Sequence, residues 1–575
     1  MGLLVLSTFA AVLLAGASTS APNSAPDPSK FSGVPAHSFD ASCAALAKSI
    51  SIENVTVNFA EYVPAGTNLT FPNADPSCAR PSLVVLRDLC RVNMHVSTTN
   101  VSGIVLESWL PKNWTGRFLS TGNGGLGGFF GPSLILFLMT GIQFPDMVYT
   151  TGQGFAVVGA NNGHDGMSGK AFLNSPEVIA DFAYRSYGSH PLYSLYLSSA
   201  IAKQVSLTSV HTGVVVGKQI TKQFYGTKHK KSYYLGCSTG GRQGFKSVQD
   251  FPHDFDGVVA GAPALDFNNL NGWSNHFYLL TGTNTSASFV PVPLWTKVHT
   301  EVLNQCDGLD GLKDGILEDP SLCNFNASAL LCAHADSTEC LTSAQVNTVT
   351  QVFSGIYGQD GSLVYPRMQP GSELIAAGAY YGGSPSPFTD WYTYAIFGNP
   401  NWDSATMSLA DIAYADKKNP SNIKTWKGDL SPFKAAGGKI LHYHGMQDAI
   451  ITSDNSARYY DLVSKTMRQS PAQLDQFYRY FRIGGMGHCS GGPGAWKIGQ
   501  STAGMSALTS QDNVLMRLVD WVENGAAPET IRGTKYVNDT ASLGVQFVRD
   551  HCRYPRRNVY NGKGDPTQAT SWKCK

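Results

Sequence analysis

A dominant charge is the first thing this chain lacks. Its 42 Lys and Arg residues are balanced by 41 Asp and Glu, leaving a net charge of +1. That balance leaves no basic footprint for nucleic acid. The apolar run from Leu3 to Ala17 is too short to span a membrane. It ends in the small residues Ala15-Gly16-Ala17 and reads as a secretory signal over residues 1–17, although the usual preceding basic residues are missing. The glycine-rich stretch Thr121–Gly128 lacks the Gly-Lys-Ser/Thr of a Walker phosphate loop. An even cysteine count is also missing: there are 11, so full pairing in an oxidising compartment leaves one over.

What is present suits a large secreted protein. The chain has 575 residues and is 42% hydrophobic, enough for an extensive core and more than one domain. Sequons at Asn54, Asn68, Asn100, Asn113, Asn284, Asn326 and Asn538 agree with secretion. Beyond the signal, residues to about Ser32 are rich in Ser, Pro and Ala and read as a flexible leader.

One stretch organises the rest. Tyr233-Tyr234-Leu235 predicts a buried strand, and Thr239 onward a helix start. Between them Gly236-x-Ser238-x-Gly240 has the form of a nucleophile elbow. Small flanking residues are needed because the serine backbone is strained there. The Thr239 N–H, at the helix N-terminus, is the expected oxyanion donor. The same five-residue pattern also arises in ordinary strand-to-helix turns. A second observation weighs against that reading: Cys237 precedes the serine, and Cys489 follows His488. A disulfide between them would bring their Cα atoms to roughly 5.5 Å and set Ser238 beside His488. Proximity along the chain suggests three more pairs, Cys306–Cys323, Cys332–Cys340 and Cys552–Cys574. Cys43, Cys78 and Cys90 remain.

From Phe39 to Ala160 the pattern is β-rich. Strands are predicted at Ile104–Leu110, Arg117–Ser120 and Phe155–Gly159. The loop after Ser120 is where a hydrolase of this type supplies its second oxyanion N–H, from Gly124 or Gly125; the alternative is a plain turn. Residues Pro263 to Asp429 interrupt the strand pattern and read as an inserted second domain, 263–429. Its aromatics, Trp273, Trp295, Trp391 and Tyr392, suit an apolar ligand pocket or core packing. Within it, Asp307, Asp310 and Asp314 alternate with glycines, a carboxylate loop suited to Ca²⁺. The spacing is not that of an EF-hand, and a solvated turn is the other reading.

The strand pattern resumes at Gly438–His444, followed by Gly445-Met-Gln-Asp448. A further strand, Phe477–Ile483, leads to His488. The order Ser238, Asp448, His488 is that of α/β-hydrolases, in which His488 takes the serine proton and Asp448 orients the imidazole. A surface turn is the other reading of Asp448; Asp256 and Asp454 are weaker rivals for the acid. The last helix, Asn513–Asn524, is amphipathic and stopped by Gly525.

At these residues the sequence resembles the fungal tannase/feruloyl esterase family. The resemblance rests on Gly236-Cys-Ser-Thr-Gly-Gly-Arg-Gln-Gly244, His444-Gly-x-x-Asp448 and Gly487-His-Cys489, and covers nearly the whole mature chain. It implies an α/β fold: an α/β-hydrolase domain in two parts, 18–262 and 430–575, with the insertion acting as a lid. It implies the Cys237–Cys489 bridge, and a Ca²⁺ held by the side chains of Asp307, Asp310 and Asp314 and the carbonyls of Leu312 and Ile316. The implied substrates are esters of phenolic acids: ferulate or p-coumarate on cell-wall polysaccharides, or gallate in tannins. The lid sequence is closer to the feruloyl esterase B branch. A catalytically inactive Ca²⁺-dependent binder of the same ligands is the rival of another class.

Two stretches depart from the family. Phe129–Thr140 is strongly apolar, and Tyr187–Ser209 interrupts a predicted helix running from Asp181 into Val210–Lys218. They read either as a hydrophobic lid or as retained introns, the latter because the family has neither. Members place a cysteine after the glycine loop that pairs with Cys78. Its loss at the first junction would explain the odd count, with Cys43–Cys90 as the remaining pair.

Overall fold

The computed structural model describes residues 38–72, 75, 77, 82–126, 143–166, 168–183, 209–334, 339–505 and 509–575. The signal, Cys78, 129–140 and 187–208 lie outside them, and Ser209 opens a helix, Ser209–Tyr225.

Phe39–Lys575 is built on one nine-stranded sheet. We number its strands β1 (Val55–Val63), β2 (Leu89–Ser97), β3 (Gly103–Pro111), β4 (Arg117–Thr121), β5 (Ala156–Ala160), β6 (Lys231–Cys237), β7 (Gly257–Gly261), β8 (Lys439–Gly445) and β9 (Tyr478–Ile483). Their order is β1-β2-β3-β5-β4-β6-β7-β8-β9. The first three strands and the β3–β5 pairing are antiparallel; from β5 to β9 all neighbours are parallel. The parallel strands are short, and β5 and β7 are uninterrupted runs of small and apolar residues because both faces are covered. Tyr234, Val258, Ile440 and Tyr478 enter one core, and Tyr233, Leu235, Val259, Leu441 and Tyr443 the other.

Parallel pairing sends the C-terminal ends of β4, β6, β8 and β9 to one edge of the sheet, the usual place for a site in an open α/β sheet. The glycine loop follows β4, Ser238 follows β6, Asp448 follows β8 and His488 follows β9.

A third core gathers Phe267, Trp273, Trp295, Trp391, Tyr392 and Ile412, mostly from the stretch between β7 and β8. The four aromatics considered as pocket walls are therefore core residues; all four are fully buried. This stretch is helical, with helices at Phe267–Thr281, Val292–Cys306, Ser343–Val352, Glu373–Ala379 and Leu409–Lys418. The Asn-rich segment Phe267–Thr281 has weak helix propensity. Burial of most of one helix surface, including Phe267, Trp273 and Phe277, overrides it. Phe39–Ser49, at the start of the stretch predicted to be β-rich, is also a helix. It buries Cys43 and Leu46, and the Cys43–Cys90 disulfide ties it to β2.

The other disulfides among the described residues join Cys237–Cys489, Cys306–Cys323, Cys332–Cys340 and Cys552–Cys574. No helix among the described residues is long and apolar enough to cross a membrane.

Candidate active site

Ser238 sits at the top of β6 with φ 66° and ψ −124°, just ahead of the helix Thr239–Asp250. A non-glycine residue held there is strained. Its N–H donates to Gly261 O at 3.0 Å, and its C=O accepts from Ala264 N–H at 3.1 Å and Arg242 N–H at 3.0 Å. The small flanks are required sterically. A Cβ on Gly236 would stand 2.8 Å from the Gly240 carbonyl carbon, and one on Gly240 2.9 Å from Asn123 O. The strand, helix and glycine loop meet too closely here for side chains.

That loop is clamped onto the elbow helix. Asn123 N–H donates to Gln243 Oε1 at 3.0 Å, Thr239 Oγ1–H to Gly125 O at 2.7 Å, and Tyr234 O–H to Gly240 O at 2.7 Å. Gly125, Ser238 and Thr239 line one narrow recess, whose other walls include Phe267, Leu270, Phe388 and Ile451. Gly124 lines a neighbouring depression with Cys237 and Cys489.

The acid and the imidazole are already joined. His488 Nδ1 and Asp448 Oδ2 are 2.7 Å apart, so the ionised carboxylate makes Nδ1 the donor. Asp448 Oδ1 accepts from Ile450 N–H at 2.8 Å and Ile451 N–H at 2.9 Å. Burial alone raises the Asp448 carboxyl. The neighbouring His488 charge and the hydrogen bonds from His444 and His488 outweigh it and hold the group well below the usual carboxylate range. The Cys237–Cys489 disulfide, with Cα atoms 6.0 Å apart, joins the residue before Ser238 to the residue after His488. His488 Nε2 is buried with no hydrogen-bond partner, and no hydrogen bond among the described residues joins it to Ser238 Oγ. Such bonds often tighten only when substrate is present.

The rival acids lie elsewhere. Asp256 is tied to Lys231 Nζ at 2.9 Å and Ser232 N–H at 2.8 Å. Asp454 lies in the first turn of a helix, 4.0 Å from Arg367 Nε.

The carboxylate loop packs against the segment that follows β9: a Cβ on Gly484 would collide with Glu318 Oε2, and one on Gly485 would stand 3.1 Å from Ile316 Cγ2. Asp307 Oδ2, Asp310 Oδ1 and Asp314 Oδ1 accept the N–H groups of Gly315, Leu312 and Ile316 at 3.0, 3.1 and 3.2 Å. Arg549 reaches Asp314 Oδ2 at 3.3 Å and Glu318 Oε1 at 2.9 Å. Among the described residues, no group of three or more His, Cys, Asp or Glu side chains is arranged to hold a metal ion. Asp307 Oδ1, however, is buried without a partner. An orphaned carboxylate oxygen within an all-oxygen donor set fits a hard divalent cation.

Sequence reasoning missed the groups behind the acid: His444, Ser456, His442 and Tyr478. Two signals pointed there: the alternation His442-x-His444 on one face of a predicted strand, and the motif His444-Gly-x-x-Asp448, in which His444 was given no role.

Comparison with known proteins follows this geometry. A family model described as tannase and feruloyl esterase matches residues 89–575. A probable feruloyl esterase B-2 of Aspergillus oryzae is 52% identical over 538 residues, 93% of this chain and 95% of that protein. The crystal structure of feruloyl esterase B from Aspergillus oryzae is 48% identical, with a TM-score of 0.84, covering 94% of this chain and 100% of that one. Tannin acyl hydrolase from Aspergillus niger, at 22% identity and a TM-score of 0.67 over 93% of this chain and 95% of that one, shares the fold. The chain belongs to the tannase and feruloyl esterase family and is a carboxylic ester hydrolase of the α/β-hydrolase fold.

Proposed function

We propose that the protein hydrolyses esters of phenolic acids, feruloyl and p-coumaroyl esters of plant cell-wall polysaccharides first among them, through a Ser238-His488-Asp448 triad. The observation that carries this is the 2.7 Å His488–Asp448 contact, stapled through Cys489–Cys237 to the residue next to Ser238. His488 Nε2 takes the hydroxyl proton as Ser238 Oγ bonds to the ester carbonyl carbon. The oxyanion is held by the N–H of Thr239 with one from Gly124 or Gly125. His488 then protonates the departing alcohol oxygen, and water cleaves the acyl-enzyme by the same steps in reverse order. Phe267, Leu270, Phe388 and Ile451 put apolar surface beside Ser238, the chemistry an aromatic acyl group would need. The feruloyl esterase names of the close relatives support ferulate over gallate.

The remaining assignments are part of the same reading. Residues 263–429 form a lid set into a catalytic domain, and their core includes Ile450 and Ile451 beside the acid. Ca²⁺ binds the lid through Asp307, Asp310 and Asp314 with the Leu312 and Ile316 carbonyls; the ion would neutralise a crowded acidic loop and hold it in shape. The protein works outside the cell, in keeping with its five disulfides and seven exposed sequon asparagines.

Parallel assays of wild type and Ser238→Ala on methyl ferulate and methyl gallate test this. We expect faster turnover of ferulate and a loss of about a thousandfold or more in the variant. Undiminished activity of the variant removes the mechanism, and a strong gallate preference reassigns the acyl group.

A further inference from the structure

Asp448 is held from two sides. His488 Nδ1 lies in front of Oδ2, and His444 Nε2 lies behind the same oxygen at 3.0 Å. His444 Nε2 is also 2.9 Å from Ile451 O. Both of these neighbours accept only, so Nε2 carries the hydrogen. The contacts continue inward. His444 Nδ1 meets Ser456 Oγ at 2.7 Å, Ser456 Oγ meets His442 Nε2 at 2.9 Å, and His442 Nδ1 meets Tyr478 O–H at 2.9 Å. All five side chains, from Asp448 back to Tyr478, are essentially fully buried. Asp448 comes from the loop after β8, and the other four from β8, the helix Ser453–Met467 and β9.

The chain has one consistent assignment of protons. Burial keeps Tyr478 protonated, and His442 is its hydroxyl's hydrogen-bond partner. Tyr478 therefore donates to His442 Nδ1. His442, kept neutral by burial, donates from Nε2 to Ser456 Oγ. Ser456 donates to His444 Nδ1, and His444 donates from Nε2 to Asp448. Every dipole in the row points its hydrogen toward the carboxylate. Rings pack around it: Tyr480 stacks on His442 at 4.4 Å, and Phe245 meets it edge-on at 5.2 Å.

We infer that His444 is a positioning residue of the ester hydrolase, its tautomer set from Tyr478 through His442 and Ser456, and that it anchors Asp448 Oδ2 so that the carboxylate keeps His488 correctly oriented. This rests on the triad reading above. His444 touches no substrate. It acts by fixing the oxygen that accepts the hydrogen bond from Nδ1–H while His488 Nε2 takes up the serine proton and the ring becomes an imidazolium. A donor behind that oxygen limits rotation of the carboxylate, and a preorganised row of dipoles needs no rearrangement as charge develops.

The test compares full-length wild type, Ser238→Ala, His444→Leu, His444→Gln and Ser456→Ala on methyl ferulate, reading kcat, KM and melting temperature. Gln retains an N–H near the position of Nε2; Leu does not. For His444→Leu we expect kcat to fall by about tenfold to a hundredfold, the effect of one hydrogen bond to a charged group, with KM within about twofold. His444→Gln should recover most of that loss. Ser456→Ala, which leaves Asp448 and His488 untouched, should lower kcat by a few-fold and serves if the Leu variant fails to fold. A merely structural role would lower the melting temperatures while leaving kcat of the folded variants unchanged; that result overturns the inference. Equal impairment of the Leu and Gln variants also overturns it. If Ser238→Ala stays active, the triad reading fails instead, so the two failures are distinguishable.

Discussion

His551 illustrates how a single buried imidazole shapes the response to acid. Its Nε2 lies 2.9 Å from Ala495 O, and its Nδ1 is buried without a partner. Burial lowers its pKa to about 4, against the opposing hydrogen bond to Ala495. The unfolded chain takes up a proton near pH 6.5, while the folded chain resists until about 4. Stability should therefore fall as pH drops from about 6.5 to about 4 and level off below, by about 3 kcal/mol from this residue. Melting temperature against pH for wild type and His551→Gln checks this. The variant, which keeps a donor for Ala495 O, should show a shallower acid slope; parallel curves would contradict the assignment.

At the scale of elements, two loop tips are held together by one covalent link. Ser238 stands at the end of β6 and His488 in the loop after β9, with β7 and β8 between these strands in the sheet. The Cys237–Cys489 disulfide closes that gap beside Ser238 and His488. Graded reduction should abolish esterase activity while far-ultraviolet circular dichroism and tryptophan fluorescence still report a folded protein. Coincident loss of all three signals would mean that the bridge stabilises the fold but does not position the site. The strands carrying the site were legible in the sequence. Tyr233–Leu235 in β6, Val258–Ala260 in β7 and Ile440–Leu441 in β8 are apolar runs leading to glycine turns, and burial on both faces makes such runs conspicuous; β9 is interrupted by Arg479 and Arg482 but is bounded by the same kind of turn. The elbow helix from Thr239 and the last helix, Val514–Asn524, were legible too, but two others were not. Phe39–Ser49 is pinned by a distant cysteine, and Phe267–Thr281 is Asn-rich and helical through burial; tertiary contacts decide both. The row behind Asp448 was hidden for a related reason. Its members are dispersed over 37 residues, from His442 to Tyr478, and only the sheet brings β8 and β9 side by side.

At the largest scale, Phe39–Lys575 joins the Ser238 edge of the sheet to a helical core that ends against the loop of Asp448. Tyr380 O–H, from that core, donates to Ile450 O at 3.3 Å, and Gln369 Nε2 to Thr452 Oγ1 at 3.0 Å. Loosening this helical stretch should therefore reach Asp448. Chelation of Ca²⁺ should lower the melting temperature and reduce activity, both restored by added Ca²⁺; a melting curve insensitive to chelator would contradict the metal assignment. The central claim is that Ser238 becomes acylated. The direct measurement is peptide mass mapping of enzyme quenched in acid during turnover of methyl ferulate. We predict a feruloyl adduct on the peptide containing Ser238 and none in the Ser238→Ala protein. An adduct on another residue, or the same adduct in the variant, would contradict the account.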